Sequence, residues 1–97
     1  MCFEKIHGLL ENMEDELEDA EKYAHKAISC MHHHDKADVF IEIAEEELTH
    51  YTKLEGMLKE HLKTLEGDLQ KFAEMKHIEL SDEYVEVKHL IKKASET

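Results

Sequence analysis

The chain has 97 residues, enough for one small domain, and a formal net charge of −12. This balance argues against binding to nucleic acid or to anionic membrane surfaces, because both require clustered basic residues, and it favours attraction of cations. The sequence has no proline, three glycines and 37% charged residues, and it shows no strand-like alternation. Since most of its residues are good helix formers, we predict an all-α fold.

The expected location is the cytoplasm. No apolar run approaches the roughly 18 residues of a membrane span, and the N-terminus lacks the apolar core of a signal peptide. Cys2 and Cys30 form neither a CxxC motif nor a disulfide framework. We therefore expect both to be reduced thiols, and the missing CxxC excludes zinc-ribbon and rubredoxin-type centres.

The first predicted helix spans residues 3–31. Its apolar residues alternate spacings of three and four, a heptad-like pattern: Phe3, Ile6, Leu10, Met13, Leu17, Ala20, Ala24, Ala27 and Met31. The tract His32–His34 interrupts the pattern, either as a polar turn or as a weak secondary metal site, and Asp35 is the predicted N-cap of the next helix. A link this short predicts an antiparallel helical hairpin.

The second predicted helix spans residues 36–77, with a kink or a stop near Gly67 as the alternative. Ser81 and Asp82 are typical of a new helix start, so a short third helix is predicted over 82–94. Five histidines outside the motif described next are expected at the surface: His7, His25, His61, His77 and His89.

Glu47 and His50 form a Glu-x-x-His motif in the second helix. With about 100° of rotation per residue, the apolar residues around the motif form a narrow stripe that includes Leu54, and Glu47 lies inside it. A carboxylate directed at a core is costly unless it is paired or binds a metal. His50 lies one turn on, about 60° away, so both side chains can reach one ion. The alternatives are a core-edge carboxylate paired with a lysine and a polar histidine at a helix seam.

The first helix offers further carboxylates. Glu16 lies on the shoulder of the apolar stripe, about 60° from Met13, and Tyr23 follows two turns later on the same side. Glu14 and Glu21 lie on the opposite shoulder. Periodicity alone leaves the choice between the two shoulders open.

The combination of Glu16 and Tyr23 with Glu47 and His50 resembles the half-motif of the ferritin-like superfamily, over roughly residues 13–54. The resemblance implies that Glu16 is a terminal carboxylate ligand, Glu47 a bridging carboxylate and His50 a nitrogen ligand. It also implies that Tyr23 is a catalytic hydroxyl near the metals. The implied cofactor is a di-iron centre, with manganese or zinc as alternatives.

One chain supplies only three of these ligands, whereas full-length members supply two such sets. A homodimer would double the set, close a ferritin-like four-helix bundle from two hairpins and bury the apolar stripes that a lone hairpin would expose. Half-length members similar to encapsulated ferritins assemble this way, which implies a higher homo-oligomer, a shell protein as a further partner and enclosure in a protein compartment. The expected function is ferroxidase activity in iron oxidation or storage. The alternatives are a helical scaffold protein with incidental or no metal, and a peroxide-handling rubrerythrin-like protein.

Overall fold

The computed structural model describes residues 3–30 and 33–96, apart from the side chain of His34. These residues form three α-helices and no strand: α1 (Phe3–Ser29), α2 (His34–Leu62) and α3 (Gly67–Ser95). The predicted all-α class is confirmed. Of the first predicted helix, Met31 lies outside the described residues. Within the described ranges, no helix has both the length and the apolar character needed to cross a bilayer.

Helices α1 and α2 form the predicted antiparallel hairpin. Glu16 of α1 lies beside His50 of α2, while Tyr23, further along α1, lies beside Phe40, earlier in α2. The apolar stripe of α1 explains this packing, because its small residues Ala20, Ala24 and Ala27 are buried and let the neighbouring helix approach closely.

Helix α3 folds back along the hairpin, antiparallel to α2. Tyr51 stacks on Tyr84 with ring centroids 5.1 Å apart, and Glu55 contacts His77. The result is a three-helix bundle that measures 51 × 17 × 16 Å. Within the described residues, the core is one cluster to which all three helices contribute.

The prediction of one helix over 36–77 is wrong, and the alternative of a stop near Gly67 holds. The chain turns at residues 63–66, and Gly67 has a φ of +65°, a left-handed conformation that glycine adopts without steric cost. Leu65, inside the turn, is 6% exposed and packs into the core. Leucines at regular spacing therefore contact the core from a helix and from a turn, which the sequence pattern does not distinguish.

The prediction of a short third helix over 82–94 is also wrong, because α3 has 29 residues. Ser81 and Asp82 lie in its interior and begin no helix. The stretch from Asp68 to Ser95 has no glycine or proline to interrupt it. Likewise Asp35 is not an N-cap: the cap position is His33, without a side-chain capping bond, and Asp35 lies in the first turn of α2.

Helix α3 covers one side of the hairpin formed by α1 and α2. Within a single chain Ile6, Met13, Leu17 and Tyr51 are completely buried. The expectation that the apolar stripe of a hairpin needs a second copy to cover it is therefore wrong, since α3 covers it. The apolar stripe of the hairpin therefore gives no support to dimerisation.

Candidate metal centre

The structure brings the three predicted ligands together. One donor atom from each of Glu16, Glu47 and His50 lies within 4.8 Å of the other two. Glu16 comes from the middle of α1, while Glu47 and His50 stand one turn apart on α2, where residues three apart are neighbours. Two ligands bound to one ion at about 2.1 Å lie no more than about 4.2 Å apart, so the three donor atoms have to move closer together to chelate one ion.

The Glu16 carboxylate contains an orphaned acceptor. Its Oε2 atom is buried and receives no hydrogen bond, although the Nδ1 atom of His50 lies 3.4 Å away, at ion-pair distance. A buried oxygen without a partner costs free energy that a cation in the same place recovers. The site is also reachable, because the His50 side chain is 53% exposed and the Glu16 side chain 24% exposed.

The two carboxylates interact strongly with each other. The hydrogen bond with Glu16, followed by burial and by repulsion from the Glu16 charge, raises the pKa of Glu47 to about 7. Asp19 adds to the rise, and His50 opposes it. A carboxyl group whose pKa is raised to near neutral pH beside a second carboxylate is one whose proton a divalent cation can replace.

The tertiary structure separates the two shoulders of α1. Glu14 and Glu21, the rivals of Glu16, lie toward α3, where their charges raise the pKa of Glu83 after the larger effect of burial. Neither belongs to the Glu16 cluster. The fold therefore selects Glu16 as the carboxylate of α1 that faces Glu47.

Tyr23 lies on the same side of α1 as Glu16 and is packed by its neighbours. Its ring stacks on Phe40 with centroids 6.0 Å apart. The ammonium groups of Lys22 and Lys26 lie 5.5 and 5.0 Å from the centre of the Tyr23 ring. These contacts hold the ring in place, and the catalytic role of Tyr23 stays a prediction.

The cluster opens on the side of the hairpin that faces away from α3. Leu48 and Glu55 of α2 lie toward α3, and by helical rotation His50 and Met57 lie roughly 160° from them. Val39 shares this open side and, like Met57, is more than half exposed. We call this surface, formed by Glu16, Tyr23, Val39, Glu47, His50 and Met57, the hairpin face.

One histidine predicted at the surface is instead part of the fold. The Nε2 atom of His77 lies 2.8 Å from Oε2 of Glu55, and both side chains are about four-fifths buried. His77 is four residues after Ala73 and three before Leu80, which are both buried, and this spacing could have placed it on the inner face of α3. In the histidine tract, His33 is exposed, whereas His32 and the side chain of His34 lie outside the described residues.

Comparison with protein-family models, with curated proteins and with solved structures found no match to this chain. The candidate site therefore stands on its own geometry. Two carboxylates and an imidazole are a donor set suited to iron, manganese or zinc. The orphaned Glu16 oxygen and the raised pKa of Glu47 both fit a bound cation.

Proposed function

We propose that two copies of this chain pair through the hairpin face and hold a pair of metal ions between them, and that the protein acts as a ferroxidase. The observation that carries the proposal is the cluster of Glu16, Glu47 and His50, with its buried and unsatisfied carboxylate oxygen. In this proposal Fe(II) is the substrate, and Fe(III) is stored or passed on.

The ligand count supports pairing. Three side chains from one copy leave an iron or manganese ion short of the ligands it usually takes. A two-fold axis beside the cluster adds the same three ligands from the second copy, so that four carboxylates and two imidazoles surround two ions. The resulting four-helix arrangement uses two hairpins, with α3 of each copy on the outside.

The surface around the cluster also supports pairing. Val39 and Met57 are 54% and 53% exposed on the hairpin face. Exposed aliphatic side chains next to a cluster of ligands are suited to an interface that excludes water from the metal site. The net charge of −12 favours the approach of cations.

The residues of the chain account for ligand chemistry and positioning. Two Fe(II) ions give one electron each to dioxygen, which takes up two protons and leaves as hydrogen peroxide. Glu16 and Glu47 neutralise the charge of the ions, and His50 supplies the nitrogen donor that suits iron.

Metal content and mass test the proposal together. Protein loaded with Fe(II) without oxygen should bind about one ion per chain and sediment with at least twice the chain mass. Glu47→Ala and His50→Ala should each lose the ion, whereas Glu46→Ala and His25→Ala, which remove an exposed glutamate and an exposed histidine elsewhere, should keep it. Full iron occupancy in Glu47→Ala and His50→Ala would overturn the assignment of the site.

The reaction is tested separately. On mixing with dioxygen, the iron-loaded protein should develop Fe(III) absorbance in proportion to its bound iron, and Tyr23→Phe should slow this step if the hydroxyl acts in it. A faster reaction with hydrogen peroxide than with dioxygen would move the assignment to peroxide handling. If no metal binds after loading, the ferroxidase proposal fails, and the alternative function as a helical scaffold protein is favoured.

A further inference from the structure

A cavity of about 210 Å³ lies between α1 and α3. Its apolar part is formed by Leu10 of α1 and by Phe72 and Leu80 of α3. Leu10 and Leu80 are each only 6% exposed, so the cavity reaches the edge of the core. Since an apolar cavity of about 150 Å³ holds benzene, this space admits a molecule with one six-membered ring.

An aromatic ring forms part of the cavity wall. The ring of Phe72 contacts that of Phe3 with centroids 5.7 Å apart, and Phe3 stacks on His7 at 5.5 Å. These contacts hold the Phe72 ring in place. A fixed aromatic ring beside carboxylates is a combination that binds ammonium groups, because the face of the ring attracts a cation.

The rim of the cavity carries two ion pairs. Nδ1 of His7 lies 3.2 Å from Oε1 of Glu11, and Nζ of Lys76 lies 3.4 Å from Oε2 of Glu79. All four side chains are about half exposed. The positive charge of Lys76 is therefore already matched at the rim, by Glu79.

Two further carboxylates of the cavity have no positive partner. Over residues 3–30 and 33–96, neither Glu14 nor Glu83 forms an ion pair or a side-chain hydrogen bond. Glu83 is half-buried, and burial followed by repulsion from Glu14 raises its pKa. A cation between these two side chains would remove the repulsion and stabilise the ionised form of Glu83.

The geometry favours an organic cation over a metal ion at this place. Among the residues that the structure describes, only Glu16, Glu47 and His50 bring three metal-binding donor atoms within 4.8 Å of one another. Glu14 and Glu83 therefore have no third ligand. An ammonium group needs no chelate, because its N–H groups donate to separate carboxylates, and its carbon body can occupy the apolar part of the cavity.

We propose that the cavity between α1 and α3 binds a small organic ammonium ion, with the ammonium group between Glu14 and Glu83 and the apolar body against Phe72. The hairpin face lies on the side of the molecule away from α3, so this inference does not depend on the proposed metal function. The variants that follow leave all three candidate metal ligands intact.

Benzylamine is a suitable probe, because it has one ring and carries one positive charge at pH 7. Benzyl alcohol, a neutral molecule of the same size, is the control ligand. Titrated into the ¹⁵N-labelled full chain, benzylamine should shift the amide signals around Leu10, Phe72 and Leu80, with a dissociation constant of about 1 mM. Benzyl alcohol should bind at least about tenfold more weakly, and signals of the hairpin face should not follow the same titration.

Three outcomes of this titration would overturn the inference. Equal binding of the two molecules would show an apolar cavity without preference for charge. No shifts around the cavity with benzylamine would show that it does not bind there. Displacement of benzylamine by an equal concentration of calcium chloride would show a site for inorganic cations.

Variants test the assigned roles. Glu83→Gln should weaken benzylamine binding about tenfold, because the largely enclosed carboxylate is lost, and the exposed Glu14→Gln should weaken it about threefold. Phe72→Leu, which keeps an apolar side chain without the ring, should also weaken it about threefold. Glu42→Gln removes an exposed carboxylate of α2 outside the cavity and should bind as the wild type does. Unchanged affinity in Glu83→Gln would contradict the proposal, and far-UV circular dichroism confirms that each variant is folded.

Discussion

The Nε2 atom of His77 lies 2.8 Å from the Oε2 atom of Glu55, and this contact joins α3 to α2 in a region where both side chains are about four-fifths buried. Lys59 approaches the other oxygen of Glu55 at 3.9 Å. Glu55 lies one turn after Tyr51 on α2, and His77 lies two turns before Tyr84 on α3, so the pair follows the Tyr51–Tyr84 ring stack along the same contact between the helices. It fixes the position of α3 along the hairpin.

Removal of this contact should loosen α3. We expect His77→Ala to lower the free energy of unfolding by about 1 kcal/mol, because the largely buried carboxylate of Glu55 loses its hydrogen-bond partner. Thermal or urea unfolding followed by circular dichroism measures the change. His89→Ala, which removes an exposed histidine of the same helix, is the control and should change stability by less than about 0.5 kcal/mol. Equal losses in the two variants would mean that the contact does not hold α3.

Glu47→Gln should stabilise the metal-free protein while it abolishes metal binding. The pKa of Glu47 in the fold is raised from an ordinary value of 4.5 to about 7. A raised pKa means that the folded state holds its proton more tightly, so stability is highest below pH 4.5 and is lost as the pH rises through about 7. The stability of Glu47→Gln should therefore match that of the wild type near pH 4 and exceed it above pH 7. Unfolding curves across this range check it, and a constant difference at all pH values would contradict it.

Glu83→Gln should also stabilise the protein at neutral pH. Burial, and then repulsion from Glu14, Glu21 and Glu18, raise the pKa of Glu83. Because the pKa of Glu83 is raised in the fold, its ionised side chain lowers the stability of the folded state as the pH rises above the ordinary pKa of a glutamate. The gain in Glu83→Gln should therefore shrink toward acid pH. Added salt should remove only part of the gain, since screening acts on the charges and not on burial. Glu42→Gln, an exposed change on α2, is the control, and a gain of equal size in the two variants would contradict the prediction.

Tyr51→Phe tests a buried hydroxyl. Tyr51 is completely buried, and its hydroxyl forms no hydrogen bond although Ser81 is close enough to lower its pKa. Burial outweighs that effect and raises the pKa of Tyr51 to about 12. We expect phenylalanine, which keeps the 5.1 Å stack on Tyr84, to raise the free energy of unfolding by about 1 kcal/mol. Tyr51→Leu, which loses the stack, should lower it, and a loss in Tyr51→Phe would show that the hydroxyl is satisfied.

Two glycine substitutions should change stability in opposite directions. Gly67→Ala should cost about 1 kcal/mol, because its φ of +65° is strained for any residue with a Cβ atom. Gly56→Ala, inside α2 with open space around the added methyl group, should gain up to about 1 kcal/mol. Chemical denaturation measures both. A gain in Gly67→Ala would show that the turn between α2 and α3 does not need the left-handed conformation.

The sequence alone determined the helical class, the hairpin of α1 and α2, and the Glu47 and His50 pair of the candidate metal site. These follow from local rules: helix propensity, the period of the apolar residues and the proximity of residues three apart on a helix. It could not choose between Glu16 and its rivals, because carboxylates lie on both shoulders of the apolar stripe of α1 and only the packing of α2 and α3 distinguishes them.

The tertiary structure decided what covers the hairpin. Leucines at helical spacing run from α2 through the turn into α3, so the pattern concealed the break at residues 63–66 and the true length of the third helix. With that break in place, α3 covers one side of the hairpin, buries His77 against Glu55 and leaves the other side open around Glu16, Glu47 and His50. Which side of an amphipathic helix meets a partner depends on contacts between residues distant in the chain, and local periodicity carries no record of them.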